Sequence, residues 1–114
     1  MALYYDLPVY RDTYKLILKI FECTKDFSKE YKYTLGQDMK RDALQLVRSI
    51  YRANKSTNKL DYLETFMDDF ELLKLEIRLS VDMKVLPIKK QAEISLLIDG
   101  IGKQITGWRN SQPK

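Results

Sequence analysis

"LDYLETFMDDFELLKLEIRLSVDMKV", residues 60–85, decides the fold, because it carries two apolar stripes at helical spacing where a surface helix needs only one. Leu63, Met67, Phe70, Leu73, Ile77 and Val81 recur at three and four and make the first stripe. Leu72, Leu75, Leu79 and Met83 make the second. One stripe is enough to face the core of a helical bundle. The other requires deeper burial or contact with another subunit, and we favour the subunit contact.

On either side of this helix, expected at about 59–85, the same periodicity recurs. Val9, Leu16, Ile20, Cys23 and Phe27 mark a helix over about 8–27, with Pro8 where a first turn tolerates it. Leu35, Met39, Ala43, Leu46 and Ile50 mark another over about 35–54, ended by the polar loop "NKSTNK". Past Pro87, a seam of near-heptad spacing through Ile94, Leu97, Ile98, Ile101, Ile105 and Trp108 marks a fourth over about 88–109. No alternating strand pattern competes. These breaks are short, so consecutive helices run antiparallel, and the expected fold is an all-α, up-and-down four-helix bundle, a single domain over 1–114.

Composition agrees with a soluble helical protein. Of the 114 residues 45% are hydrophobic and 32% charged, with only 4 Gly and 3 Pro to form loops. The start, "MALYYDLPVY", lacks the basic-then-apolar order of an export signal, and no apolar run nears the roughly 20 residues that span a bilayer, so a cytoplasmic protein without a membrane association is expected. The single cysteine, Cys23, has no partner for an internal disulfide, which fits a reducing compartment. The net charge of +4 admits nucleic acid or another acidic partner. Its excess lies in residues 1–57, with 11 Lys/Arg against 7 Asp/Glu, whereas residues 58–114 balance at 9 and 9.

"GIGKQITGW", residues 100–108, resembles a phosphate-cradling loop but fails on chemistry. A P-loop reads GxxxxGK[ST]; here Leu97 stands where the first glycine belongs and Gln104 where the hydroxyl belongs. The surrounding pattern is also helical. Gly100 and Gly107, seven apart, share nearly one helix face and are expected to admit a close backbone, offsetting a cost of about 1 kcal/mol per helical glycine. Trp108 is expected to close that end of the bundle.

Catalytic groups are scarce. The chain has no histidine, which removes the commonest general base and the Glu-x-x-His ligands of a di-iron bundle. Asp68 and Asp69 are consecutive, so on a helix they diverge and read as a solvated face. Cys23 lies in an apolar stripe and reads as an inert core residue. No enzyme, catalytic residue, metal ligand or cofactor is expected.

Cations are better organised. Arg41, Arg48, Arg52 and Lys55 fall at spacings of seven, four and three along one helix face, with Lys40 at its edge and Asp38 positioned to offset Arg41. Lys74 and Arg78 form a like-charge i,i+4 pair that Glu71 and Asp82, or a bound anion, would relieve. Lys89 and Lys90 begin the fourth helix, where the dipole disfavours cations, and are weaker candidates. In "SKEYKYT", residues 28–34, Tyr31 and Tyr33 bracket Lys32 and are expected to pack the junction of the first two helices, because stacking platforms for bases usually belong to sheets.

In order, "DLPVYRDTYKLILKIFECTKDFSKEYKYTLGQDMKRDALQLVRSIYRAN", "LLKLEIRLSVDMKVL" and "LIDGIGKQITGW" resemble the Avd family, the accessory variability determinants of diversity-generating retroelements. The resemblance runs from Asp6 to Trp108, and "EYKYTLGQ" and "GKQITGW" are its most specific parts. A related branch, the four-helix proteins of 23S ribosomal RNA intervening sequences, typically has a stretch like "SIPSNIAEG" where this chain has "LVRSIYRANK". That departure favours the retroelement branch; the intervening-sequence type, a structural bundle with an unknown partner, is the alternative.

The resemblance implies more than periodicity can. It implies a bacterial or phage-encoded, non-enzymatic accessory protein whose bundles assemble as a barrel-like pentamer with a basic surface. Its implied partners are the retroelement reverse transcriptase and the template RNA, with DNA left open, in support of mutagenic cDNA synthesis. The family's basic positions in the second and third helices match Arg48, Arg52, Lys74 and Arg78. Lys40, Arg41 and Lys55 complete the candidate nucleic-acid and partner surface, and Leu72, Leu75, Leu79 and Met83 the candidate subunit contact.

Overall fold

The computed structural model describes residues 3–113, which form an elongated helical bundle measuring 44 × 24 × 22 Å. After a short 3-10 turn at Tyr4–Asp6, four long helices follow: α1 (Pro8–Thr24), α3 (Leu35–Lys55), α4 (Leu60–Asp82) and α5 (Ile88–Asn110), with a single turn, α2 (Lys29–Lys32), between the first two. Each long helix packs on two others: α1 on α3 and α5, and α4 on α3 and α5. This closed square is the expected four-helix bundle.

Leu16, Ile20, Met39, Ala43, Leu46, Ile50, Leu63, Phe66, Leu73, Ile94, Ile101 and Ile105 are sealed from solvent and fill the centre. The expected stripes supply most of them. Phe66 is an addition: it lies three after Leu63 and four before Phe70, so it shares the three-four spacing that the expected stripe assigned to Met67. Met67, Val81, Leu97, Ile98 and Trp108 sit at the margin of this core, half-buried.

Three boundaries have local causes. α1 ends at Thr24, not at 27: Thr24 Oγ1 donates back to the Ile20 carbonyl at 2.8 Å, and Phe27 is buried from the following loop. α3 is terminated by Lys59, whose ammonium donates to the carbonyls of Ala53, Asn54 and Ser56 at 2.8–3.0 Å, a cation placed where the helix dipole is negative. α4 ends where Lys84 adopts a left-handed φ of 63° and the Val85 and Leu86 amides turn back to the Ser80 carbonyl. Pro87 then caps the start of α5.

The glycine expectation is reversed. A Cβ built on Gly100 or Gly107 meets nothing within 4 Å, so within the chain no backbone approaches either. Gly36 is the crowded one: its Cβ would lie 3.3 Å from Phe27 Cδ2, 3.3 Å from the Tyr31 carbonyl oxygen and 3.4 Å from Thr24 Cβ. Its bare backbone lets the first turn of α3 nest against the end of α1 and against α2.

Candidate partner and nucleic-acid surface

The second stripe of α4 does not enter the core. Leu72, Leu75, Leu79 and Met83 are each 42–54% exposed and line the outward side of the helix, which removes burial within the chain as their explanation. Exposed Asp68, Glu71 and Asp82 flank them. An exposed apolar row of this length makes this side of α4 a candidate contact surface.

On α3 the cations lie as their spacing requires. Arg48 and Arg52 are exposed and make no ion pair among the described residues. Lys55 folds over the Tyr51 ring, with its Nζ 4.5 Å from the centroid, and Lys40 lies 5.5 Å from the Phe21 centroid on α1. Arg41 is largely spent, at 3.4 Å from both Asp38 and Asp42. Its net contribution to an anion site is therefore small.

Lys74 and Arg78 are set apart from this row. They lie on the other flank of α4, lining a cleft of about 340 Å³ against Gln91 and Ser95 of α5. Each has an acid on its own helix, Lys74 with Glu71 at 2.7 Å and Arg78 with Asp82 at 3.8 Å, which relieves their mutual repulsion without a ligand. The seven candidate cations thus occupy two faces of one bundle. Lys90 is also engaged, 3.5 Å from Glu22 and 3.8 Å from Glu93, while Lys19 meets Glu93 at 3.2 Å and ties α1 to α5.

Between α3 and α4 lies a feature that sequence reasoning missed. Asp42 and Glu76 are both buried, and Asp42 Oδ2 and Glu76 Oε1 find no donor. Burial, followed by the hydrogen bond and charge of Asp42 and by the charge of Asp38, pushes the Glu76 carboxyl up to about 8, against a partial opposing pull from Arg41. That shift favours the protonated form of Glu76 at neutral pH. Nearby Asp69 is also raised, by burial first and then by Asp42 and Asp68, so it is not the fully solvated acid its sequence position implied. The missed signal was faint: Asp42 precedes Ala43 on the flank of the stripe, and Glu76 precedes Ile77.

Tyr33 also departs from expectation. Tyr31 packs against the core, but Tyr33 is 66% exposed at the end of α2. Cys23 is buried, and burial raises its thiol, in keeping with an inert core residue. Among the described residues no group of three or more His, Cys, Asp or Glu is placed to hold a metal, and no helix is long and apolar enough to cross a membrane.

The model of a known family, described as bAvd-like, matches residues 9–112. The chain belongs to the bAvd-like family. This is the Avd assignment that "EYKYTLGQ" and "GKQITGW" pointed to, and the match covers all four long helices. A search of curated proteins gives no match. For a bAvd-like chain the four-helix bundle carries the two surfaces described above.

Proposed function

We propose that this bAvd-like chain is a non-enzymatic, cytoplasmic accessory protein of a diversity-generating retroelement, which assembles as a pentameric ring and binds the reverse transcriptase and template RNA during mutagenic cDNA synthesis. Membership of the family supports the retroelement role. The observation that carries the rest is the pairing of an outward apolar row on α4 with Arg48 and Arg52, exposed and without an ion pair among the described residues, on the adjacent α3. One row suits a neighbouring subunit and the other suits phosphate.

A five-membered ring closes only through head-to-tail contacts, so the α4 row must meet a different surface on the next copy. The α1–α5 groove is suited to this role: Leu18 and Leu96 stand exposed in it, and Lys15 at its rim complements Asp68 and Glu71 beside the α4 row. Repetition would raise +4 per chain to about +20 per ring, with each phosphate contact weak and salt-sensitive.

Reversing charge at Arg48, Arg52, Lys74 and Arg78 together tests the reading. Co-purification of polymerase and template RNA should be lost, while helicity and particle mass stay unchanged. Normal recovery of both from such a variant would remove the proposed surface.

A further inference from the structure

The amino-terminal end of α3 and the outer side of α1 enclose a groove of about 500 Å³ whose character differs from the other cation clusters. Its apolar walls are the Phe21 ring, 41% exposed, and Leu44, 51% exposed, with the Tyr33 ring at its mouth. Lys40 and Arg48 supply its free positive charge, since Arg41 is held by Asp38 and Asp42. Gln37 and Gln45 add amides able both to donate and to accept. We infer that this groove takes single-stranded nucleic acid, with an unpaired base stacked on Tyr33 and the apolar wall, and its flanking phosphates on Lys40 and Arg48. The inference rests on the nucleic-acid reading above and specifies which form of nucleic acid that surface takes.

The argument is one of matching surfaces. A duplex presents phosphates and hides its base faces, so it could use the cations but would leave the exposed rings and Leu44 in water. A single strand offers both a charged backbone and free base faces, and base–aromatic stacking tolerates any sequence. Lys32, at 6.0 Å from the Tyr33 centroid, and Lys40, at 5.5 Å from that of Phe21, keep cations beside both rings, where they also meet the backbone of a stacked strand. The groove volume lies in the ~300–1,000 Å³ range of sites that bury a small ligand. A segment of a partner protein is the competing occupant, but it would not need three basic side chains around an apolar floor.

Binding of a labelled oligouridylate, the same strand annealed to its complement, and an abasic strand of equal length should be compared for the intact protein, Tyr33→Ala and Tyr33→Phe. Tyr33 is exposed, so both variants should keep their helicity. Tyr33→Ala should weaken the single strand about tenfold while changing the duplex and the abasic strand less than twofold, and Tyr33→Phe should bind normally. Equal affinities of Tyr33→Ala and the intact protein for the single strand would overturn the inference. So would unaltered RNA binding by Tyr33→Ala with loss of the polymerase, which would give the groove to a protein segment. If the fourfold charge reversal abolishes binding of all three strands while Tyr33→Ala is silent, the phosphate surface stands and stacking falls. If neither variant changes any binding, the nucleic-acid reading falls with it.

Discussion

The inner and outer faces of α4 are built from the same few residue types, yet they meet opposite surroundings. Leu63, Phe66, Phe70 and Leu73 are buried in the bundle core, while Leu72, Leu75, Leu79 and Met83 of the same stretch stand in solvent. Hydrophobicity along a sequence therefore says that a face will be covered, but not by what. The bundle settles the inner face, because its own α3 and α5 pack against it. For the outer face the described residues supply no cover, and in the proposed assembly a second molecule would provide it.

The sharpest test of that contrast is truncation on each side. Phe66→Ala should cost about 3–5 kcal/mol in urea unfolding, from lost transfer energy plus an unfilled cavity. Leu79→Lys should change the stability of the isolated chain by less than about 1 kcal/mol, because its side chain is already 42% exposed, but should shift light-scattering mass toward smaller species. Equal losses of stability would mean that the two faces are not distinct. An unchanged mass for folded Leu79→Lys would assign the outer row to something other than a subunit contact.

The buried carboxyl pair sharpens the comparison from the flank between the two faces. A raised carboxyl binds its proton more tightly in the folded chain, so folding stability is full below the unfolded value near 4.5 and is lost as pH rises toward the folded value of about 8. Stability should therefore fall between about pH 5 and 8 by up to ~1.4 kcal/mol per pH unit. Glu76→Gln keeps the shape and can donate to Asp42 without ionising. It should flatten that slope and be the more stable form at pH 8. Parallel pH profiles for the two proteins would show that Glu76 is not the titrating group.

How far the sequence could be read follows from which interactions are periodic. The four long helices, the breaks at 54–59 and at Pro87, and most core positions follow from three-four spacing, and the α3 cations follow from the same count. Asp42 with Glu76, Tyr33 and Gly36 were not legible, because each depends on what a neighbouring helix places opposite it. An acid on the flank of a stripe reads as surface until its partner helix proves to carry another acid. Tyr33 read as packing because only the fold shows that α2 ends before its ring can turn inward. Two grooves that divide the basic residues were hidden for the same reason: Arg48 and Lys74 are alike in one dimension and lie on different faces in three.

Glycines give the smallest effect and contrast a crowded site with open ones. Alanine stabilises a helix by about 1 kcal/mol over glycine where a methyl meets nothing. Gly107→Ala should therefore gain up to about that amount, since its Cβ would stand in open space. Gly36→Ala starts from the same propensity gain but meets the Tyr31 carbonyl and Phe27 at 3.3 Å, and a main-chain oxygen cannot swing aside as a flexible side chain can. We expect the clash to exceed the gain, leaving Gly36→Ala less stable than the parent and Gly107→Ala more stable in the same urea titration. A stabilised Gly36→Ala would mean that α2 yields to the methyl, and that α2 is the softest contact in the bundle. A Gly107→Ala that gains stability as a lone chain but loses particle mass would instead place the neighbouring subunit against the Gly107 side of α5, where a Cβ meets nothing of its own chain within 4 Å.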